Sequence, residues 1–180
     1  MARHVLLTGA PGCGKTTVVR AFVEHLRASR PAASVRGFWT EEVREGGTRV
    51  AFRIETVGGA TGTLARVGLQ SRCRVGRYGV DVAGFEAVGA AEVEAALAEA
   101  AQSEELVLVV DEIGKMELFS ARFRRAVARA FAEVPHVVAT VMQRKQAFAD
   151  GLKARRDVRL ITVTARNRAA LPAEVLQELA

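Results

Sequence analysis

Gly9-Ala10-Pro11-Gly12-Cys13-Gly14-Lys15-Thr16 is the most informative segment of this 180-residue chain. It matches the pattern G-x-x-x-x-G-K-[S/T] in full. A short apolar segment, Arg3–Thr8, precedes it, and a stretch with apolar residues at helical spacing follows from Lys15 to about Ser29. In such a loop the glycines let backbone N–H groups approach an anion closely, and the N-terminus of the helix adds a positive dipole end. The segment therefore predicts a phosphate-binding loop rather than a chance glycine-rich turn.

The chemistry of this loop predicts roles for its side chains. Lys15 is expected to reach the β- and γ-phosphates of a nucleotide, and the Thr16 hydroxyl is expected to ligate Mg²⁺. Cys13 is interpreted as a variable loop position. The candidate nucleotide-binding residues here are Gly9, Ala10, Pro11, Gly12, Cys13, Gly14, Lys15, Thr16 and Thr17.

An apolar run that ends in two acids is the second chemical signal. Leu106–Val110 predicts a strand buried on both faces, and Asp111 and Glu112 follow it directly. Asp111 is expected to hold Mg²⁺ opposite Thr16, through a water molecule. Glu112 is expected to polarise an attacking water, which favours hydrolysis over transfer to an acceptor. The alternative is that Glu112 only caps the following loop.

The order of the predicted elements indicates an α/β fold with a mostly parallel sheet flanked by helices. Strands are expected at Val35–Thr40, His136–Val141 and Val158–Thr164, and helices at 90–102, 120–133, 145–153 and 172–179. Ser120 is the expected N-cap of the second of these helices. Residues 41–85 differ, because 48–57 alternates in polarity between glycine pairs, which predicts an antiparallel β-rich insertion. We expect residues 1–180 to form a single domain.

Further polar residues follow predicted strands or glycines, and each is either a contributor to the site or an ordinary surface residue. Lys115 and Thr140 are candidates for the γ-phosphate, Glu117 for orienting a neighbour, and Glu41 and Glu42 for the water or the metal. The remaining candidates are the nucleobase contacts Asn167 and Arg168 and the sources of transition-state positive charge Arg74 and Arg77.

Composition excludes several classes of protein. With 49% hydrophobic residues the chain has enough material for a core, and no apolar run approaches the length of a membrane span. Cys13 and Cys73 form neither a disulfide framework nor a paired metal motif. No signal peptide is evident, so a cytoplasmic protein, without a membrane partner and monomeric, is expected. The net charge of +6 suits the phosphates of a nucleotide as well as nucleic acid.

The chain resembles the THEP-type nucleoside-triphosphatases, the family that includes the cancer-related nucleoside-triphosphatase. The most specific matching runs are Thr40-Glu41-Glu42-Val43-Arg44 and Asp111-Glu112-Ile113-Gly114-Lys115-Met116-Glu117. The matching segments as a whole are Met1–Val5, Gly9–Thr16, Gly37–Arg44, Arg74–Asp81, Asp111–Leu118 and, more weakly, Thr164–Leu171.

The resemblance implies a RecA-like P-loop core and slow, Mg²⁺-dependent hydrolysis of several nucleoside triphosphates (ATP, GTP, CTP and UTP) to diphosphates. It also implies that Gly9–Thr16 binds the phosphates, Asp111 serves the metal and Glu112 activates the water. The absence of an Asn/Thr-Lys-x-Asp motif is consistent with a loose base preference.

Two other functions remain open from the sequence. One is a nucleotide or small-molecule kinase, with Arg74, Arg77, Arg155 and Arg156 as acceptor-binding candidates. The other is a nucleic-acid-associated NTP-binding module, which the aromatic content of only 6% does not favour.

Overall fold

The computed structural model describes residues 3–179; Met1 and Ala2 of the family-like segment Met1–Val5, and Ala180, lie outside the described residues. Within residues 3–179, nine strands form one sheet. Their bounds are β1 His4–Thr8, β2 Val35–Glu45, β3 Thr48–Thr56, β4 Thr61–Val67, β5 Arg74–Val75, β6 Tyr78–Val80, β7 Val107–Ile113, β8 His136–Val141 and β9 Val158–Thr162.

In the described part of the chain, six α-helices pack against this sheet. One π-helical turn, Glu86–Ala90, joins the second helix to the third, and a 3₁₀ turn, Glu117–Phe119, follows β7. The α-helices are α1 Lys15–Ser29, α2 Val82–Phe85, α3 Ala91–Ala100, α4 Ala121–Glu133, α5 Ala147–Lys153 and α6 Leu171–Glu178. None of the helices within residues 3–179 is long and apolar enough to cross a membrane.

The strand order is β5-β6-β4-β3-β2-β7-β8-β1-β9. The five strands from β2 to β9 in this order pair in parallel, whereas β3, β4, β6 and β5 extend the sheet in antiparallel fashion. We call these four strands the extension. The predicted α/β fold with a mostly parallel core and an antiparallel insertion is confirmed. One strand, β8, lies between β1 and β7, so the phosphate loop and the acidic pair leave the sheet at the same edge.

Two apolar layers hold the helices on opposite faces of the sheet. In β1 the side chains alternate: Leu6 packs in the layer with α3 and α4, while Val5 and Leu7 pack in the layer with α1 and α6. Phe22 of α1 is fully buried in the second layer. Ser120 caps α4 as the sequence predicts, because its side chain accepts a hydrogen bond from the Phe123 N–H.

Strand β2 is longer than the sequence predicts, and it belongs to both halves of the sheet. It pairs with β7 from Val35 to Phe38 and with β3 from Phe38 to Glu45. The prediction ended this strand at Thr40 and began the β-rich insertion at residue 41. Helical structure also begins at Val82 rather than near residue 90. Beyond Phe38, β2 diverges from β7 and opens a space at the carboxyl edge of the sheet.

Gly37 of β2 pairs with Val109 of β7, and the two backbones approach closely there. Its φ of 128° is unfavourable for other residues, and a Cβ added there would lie 1.8 Å from the Val109 carbonyl oxygen. The approach of the two backbones therefore requires glycine.

We expect Gly37→Ala to lower the free energy of unfolding by about 3 kcal/mol or more, because β2 must move away from β7. Gly46→Ala is the matched control: Gly46 also has a positive φ, but nothing lies within 4 Å of its added Cβ. Its expected cost is about 1–2 kcal/mol, from the left-handed backbone alone. Equal losses for the two variants in urea unfolding would contradict the close approach at Gly37.

Candidate active site

The phosphate loop joins β1 to α1 in a conformation that only glycines adopt easily. Gly9 has a φ of 146°, and a Cβ added there would lie 2.8 Å from the Val163 carbonyl oxygen. Gly14, with a φ of 103°, precedes α1, and no side chain caps the N-terminus of that helix. The first N–H groups of α1 are therefore left to an anion on the loop.

The Lys15 ammonium is folded back over its own loop. Its Nζ donates to the carbonyl oxygens of Gly9 at 3.1 Å and Ala10 at 3.4 Å. These carbonyls hold the cation above the concave side of the loop, where an anion would meet both the ammonium and the N-terminus of α1.

Hydrogen bonds to Asp111 connect α1, β2 and β8 to β7. Its side chain accepts hydrogen bonds from the Thr16 hydroxyl at 2.6 Å and from the Thr140 hydroxyl at 2.5 Å, and the Thr40 hydroxyl donates to its carbonyl oxygen at 2.8 Å. Asp111 is 2% exposed. Burial raises the pKa of Asp111, and the hydrogen bonds from Thr140 and Thr16 oppose that rise.

Glu112 lies beside Asp111 and faces the same cavity. Neighbouring residues of a regular strand point to opposite faces, but the pairing of β7 with β8 is irregular here: Val110 pairs with Ala139, and Ile113 pairs with Val141. This bulge lets both acids face the cavity. Burial raises the pKa of Glu112, Lys15 lowers it, and Asp111 raises it further.

Glu117 adds a third acid, and it is 5% exposed. A Cβ added to Gly114 would lie 2.9 Å from Glu117 Oε2 and 3.4 Å from Glu112 Oε1, so both carboxyl groups border Gly114. Burial, together with the charges of Glu112 and Asp111, raises the pKa of Glu117 to about 8. Glu117 therefore holds a proton at neutral pH beside Glu112.

These groups open onto a cavity of about 870 Å³ between the phosphate loop and the extension. Most of its polar lining was singled out from the sequence, but two arginines, Arg20 and Arg49, were not. Arg20 lies one helical turn after Thr16, and that spacing is a signal that could have identified it. The polar residues that line the cavity are Lys15, Thr16, Thr17, Arg20, Thr40, Glu41, Glu42, Arg49, Asp111, Glu112, Lys115 and Glu117.

Glu41 and Glu42 are paired with arginines. Glu41 contacts Arg20 and Arg53, and hydrogen bonds from Arg53 and then Arg20 lower the pKa of Glu41. Glu42 bonds Arg49 and Arg44, each at 2.7 Å, and these bonds lower the pKa of Glu42. The two carboxylates stay charged, and they hold the arginines at the cavity wall.

The remaining arginines that the sequence singled out do not line this cavity. Arg77 bonds the Arg49 carbonyl oxygen at 2.6 Å, and Arg74 lines a neighbouring cavity of about 400 Å³. Arg155 bonds Asp157 at 2.7 Å just before β9. Arg155 and Arg156 both precede β9, at the amino end of the parallel strands, so the structure does not bring these two acceptor-binding candidates to this cavity.

The turn after β9 holds the two nucleobase candidates. The Asn167 side chain donates to the Thr162 carbonyl oxygen at 2.9 Å and accepts from the Thr164 N–H at 2.8 Å, so it stabilises its own turn. Arg168 lies against the phosphate loop, with its Cδ 3.3 Å from a Cβ added to Gly14. Base contact by either residue stays a prediction.

The oxygen atoms around Asp111 are suited to Mg²⁺. The Thr16 hydroxyl and the Asp111 carboxylate are the oxygen types that this ion prefers, and they lie 2.6 Å apart. Across residues 3–179, no group of three or more His, Cys, Asp and Glu side chains could form an all-protein metal site. A site with one carboxylate suits an ion that takes its other ligands from phosphates and water.

Comparisons with known proteins agree with this geometry. A protein-family model described as NTPase matches residues 4–176. The nucleoside-triphosphatase THEP1 of Thermotoga sp. (strain RQ2) is 39% identical over 97% of this chain and 94% of its own length. The human cancer-related nucleoside-triphosphatase is 40% identical over 93% of this chain and 92% of its own.

The fold is also that of a solved relative. The crystal structure of THEP1 from the hyperthermophile Aquifex aeolicus superposes with a TM-score of 0.88 at 36% identity, and the match covers 98% of both chains. Family match, sequence identity and fold therefore agree: this chain belongs to the NTPase family of THEP1-type P-loop proteins.

Proposed function

We propose that this chain hydrolyses the β–γ bond of nucleoside triphosphates to give the diphosphate and phosphate, with Mg²⁺ as cofactor, slowly and with a broad base preference. The observation that carries the proposal is the arrangement around Asp111. Thr16 of the phosphate loop bonds its carboxylate, and Glu112 lies next to it at the same cavity. The names of the relatives, which are nucleoside-triphosphatases, support the same reaction.

Substrate binding begins at the loop. The phosphates would lie on the N–H groups at the start of α1, and Lys15 would exchange the carbonyls of Gly9 and Ala10 for β- and γ-phosphate oxygens. Thr16 and Asp111 would hold Mg²⁺, which supplies positive charge to the β- and γ-phosphate oxygens. Thr140 orients the Asp111 carboxylate through its hydrogen bond.

Glu112 is the proposed water activator. In the reaction the water oxygen bonds the γ-phosphorus as the bond to the bridging oxygen breaks, and the proton of the water passes to the Glu112 carboxylate. Its raised pKa makes Glu112 a better proton acceptor than an exposed glutamate. Positioning and charge supply most of the catalysis in such a reaction, because the phosphoryl transition state needs little covalent help.

Glu112 and Lys15 should differ in what their loss removes. Glu112→Gln should lower kcat by roughly 10²–10⁴-fold while nucleotide affinity stays close to that of the native chain, because only proton acceptance is lost. Lys15→Ala should lower both turnover and affinity. Phosphate release and the binding of a fluorescent ADP analogue, each measured with Mg²⁺, separate the two effects. Unchanged turnover in Glu112→Gln would exclude Glu112 as the base.

The second prediction concerns the base. Asn167 is used by its own turn, and the guanine-reading motif is absent, so little in the chain distinguishes one base from another. We expect kcat/KM for ATP, GTP, CTP and UTP to agree within about tenfold, a difference of about 1.4 kcal/mol in transition-state binding. A preference for one base of a hundredfold or more would contradict this expectation.

The third prediction concerns the protonated acid. A carboxyl group whose pKa rises from 4.5 to about 8 on folding binds its proton more tightly in the native state. The contribution of protonated Glu117 to the free energy of unfolding is therefore complete below the ordinary pKa of 4.5, and it is lost as the pH rises through about 8. Without added Mg²⁺ or nucleotide, the melting temperature of Glu117→Gln should fall less between pH 5 and pH 9 than that of the native chain.

The exposed residue Glu104 supplies the matched control, since Glu104→Gln removes a carboxyl group that the fold does not bury. Its melting temperature should follow the native pH profile. Parallel profiles for the native chain and Glu117→Gln would show that Glu117 is not protonated in the fold.

A further inference from the structure

The cavity extends well beyond the catalytic acids. It reaches the extension, where four apolar side chains from four separate segments line it: Phe52, Leu64, Val75 and Met116. We call the part of the cavity lined by these residues and Lys115 the distal pocket. Phosphate and water gain nothing from apolar walls, whereas binding sites for small organic molecules typically combine such walls with a few polar groups.

The distal pocket lies on the γ-phosphate side of the nucleotide site; this placement rests on the nucleotide orientation proposed above. The loop backbone holds the α- and β-phosphates, and Lys15 and Thr16 face the β- and γ-phosphates. Because Thr16 bonds Asp111, the γ-phosphate points toward β7 and the extension. The turn Thr164–Arg168 touches the other side of the loop through Arg168 and Gly14 and does not line the cavity. The nucleoside therefore leaves the distal pocket free.

The apolar wall is built around a fixed aromatic ring. Phe52 packs edge-on against Tyr78 with ring centroids 5.1 Å apart, and the Arg49 guanidinium lies 5.0 Å from the centroid of the Phe52 ring. Arg49 is held in turn by Glu42 and the Tyr78 hydroxyl. A ring held in this way presents a preorganised surface to a second flat, apolar group.

The charge at the rim of the distal pocket comes from Lys115. It is exposed, and among residues 3–179 no carboxylate lies within salt-bridge distance of it. It also lines the neighbouring cavity of about 400 Å³ together with Arg74. A cation without an acidic partner at the edge of an apolar pocket favours a ligand with an anionic group.

We propose that the distal pocket binds a second small molecule, one with a flat apolar body that packs on Phe52 and an acidic group that faces Lys115. The molecule binds together with the nucleotide and not in its place.

Two dyes of matched shape test this proposal on the full-length protein. 8-Anilinonaphthalene-1-sulfonate is a flat apolar probe with an anionic group, and N-phenyl-1-naphthylamine is its neutral counterpart. Both become fluorescent in apolar surroundings, so titrations report affinity without any need for catalysis. We expect one site per chain for the anionic dye, with the same affinity in the presence and absence of saturating MgADP.

Substitutions separate the contribution of the apolar wall to dye affinity from that of the Lys115 charge. Lys115→Glu should weaken the anionic dye by about tenfold or more, which corresponds to about 1.4 kcal/mol, and leave the neutral dye unchanged. Phe52→Ala should weaken both dyes. Phe119→Ala is the matched control, because Phe119 is 40% exposed and lines only the neighbouring cavity; it should change neither dye and leave turnover as in the native chain. Because Lys115 is exposed, Lys115→Glu should fold, and it tests the proposed site even if Phe52→Ala does not fold.

Several results would overturn the proposal. Displacement of the anionic dye by MgADP would assign the pocket to the nucleotide, and equal losses in Phe119→Ala and Phe52→Ala would assign the signal to the neighbouring cavity. No dye binding, or the same affinity of both dyes for the native chain and Lys115→Glu, would also contradict it. Failure to hydrolyse nucleotides would not produce these results, so the two proposals are tested separately.

Discussion

The geometry of the site depends on the hydrogen bonds that the buried residue Asp111 accepts. Three threonine hydroxyls from α1, β2 and β8 converge on this one residue of β7. A buried carboxylate without donors would be strongly unfavourable, so the hydroxyls of Thr16 and Thr140 offset part of its desolvation. The Thr40 hydroxyl bonds the main-chain carbonyl oxygen instead, and each of the three bonds fixes the distance between two elements. The strand order makes the contact possible, because β8 between β1 and β7 carries Thr140 to the edge of the sheet where the phosphate loop begins.

Features that depend on local pattern could be predicted from the sequence. The phosphate loop, α1, the buried strand β7 and the cap at Ser120 each have a motif or a periodicity that needs no knowledge of distant residues. The length of β2, by contrast, depends on β3, which supplies partners for the charged residues 41–45. The position of Arg49 in the cavity depends on its pairing with Glu42 across two strands, and no spacing along the chain indicates it. Asn167 differs, because its side chain bonds Thr162 and Thr164 of its own turn, so its contacts are local.

Charge around the cavity is balanced locally. The two arginines that line it, Arg20 and Arg49, are paired with Glu41 and Glu42, so these two do not act at the site as free cations. Lys15 instead lies close to Asp111 and Glu112, and the third acid, Glu117, carries a proton. That proton reduces the repulsion that Glu117 would otherwise exert on Glu112 and on an incoming triphosphate.

Strand β2 runs without a break from the parallel core into the extension, and Thr40, on the part of it that pairs with β3, donates a hydrogen bond to Asp111. A graft or deletion at residue 41 would interrupt β2 and break the hydrogen bond from Thr40 to Asp111. The turn at Gly46-Gly47 joins β2 to β3 with open space around both glycines, so it tolerates foreign sequence better. For protein engineering, the best position for an insertion is therefore the tip of this hairpin, about eight residues beyond Phe38, where β2 changes partners.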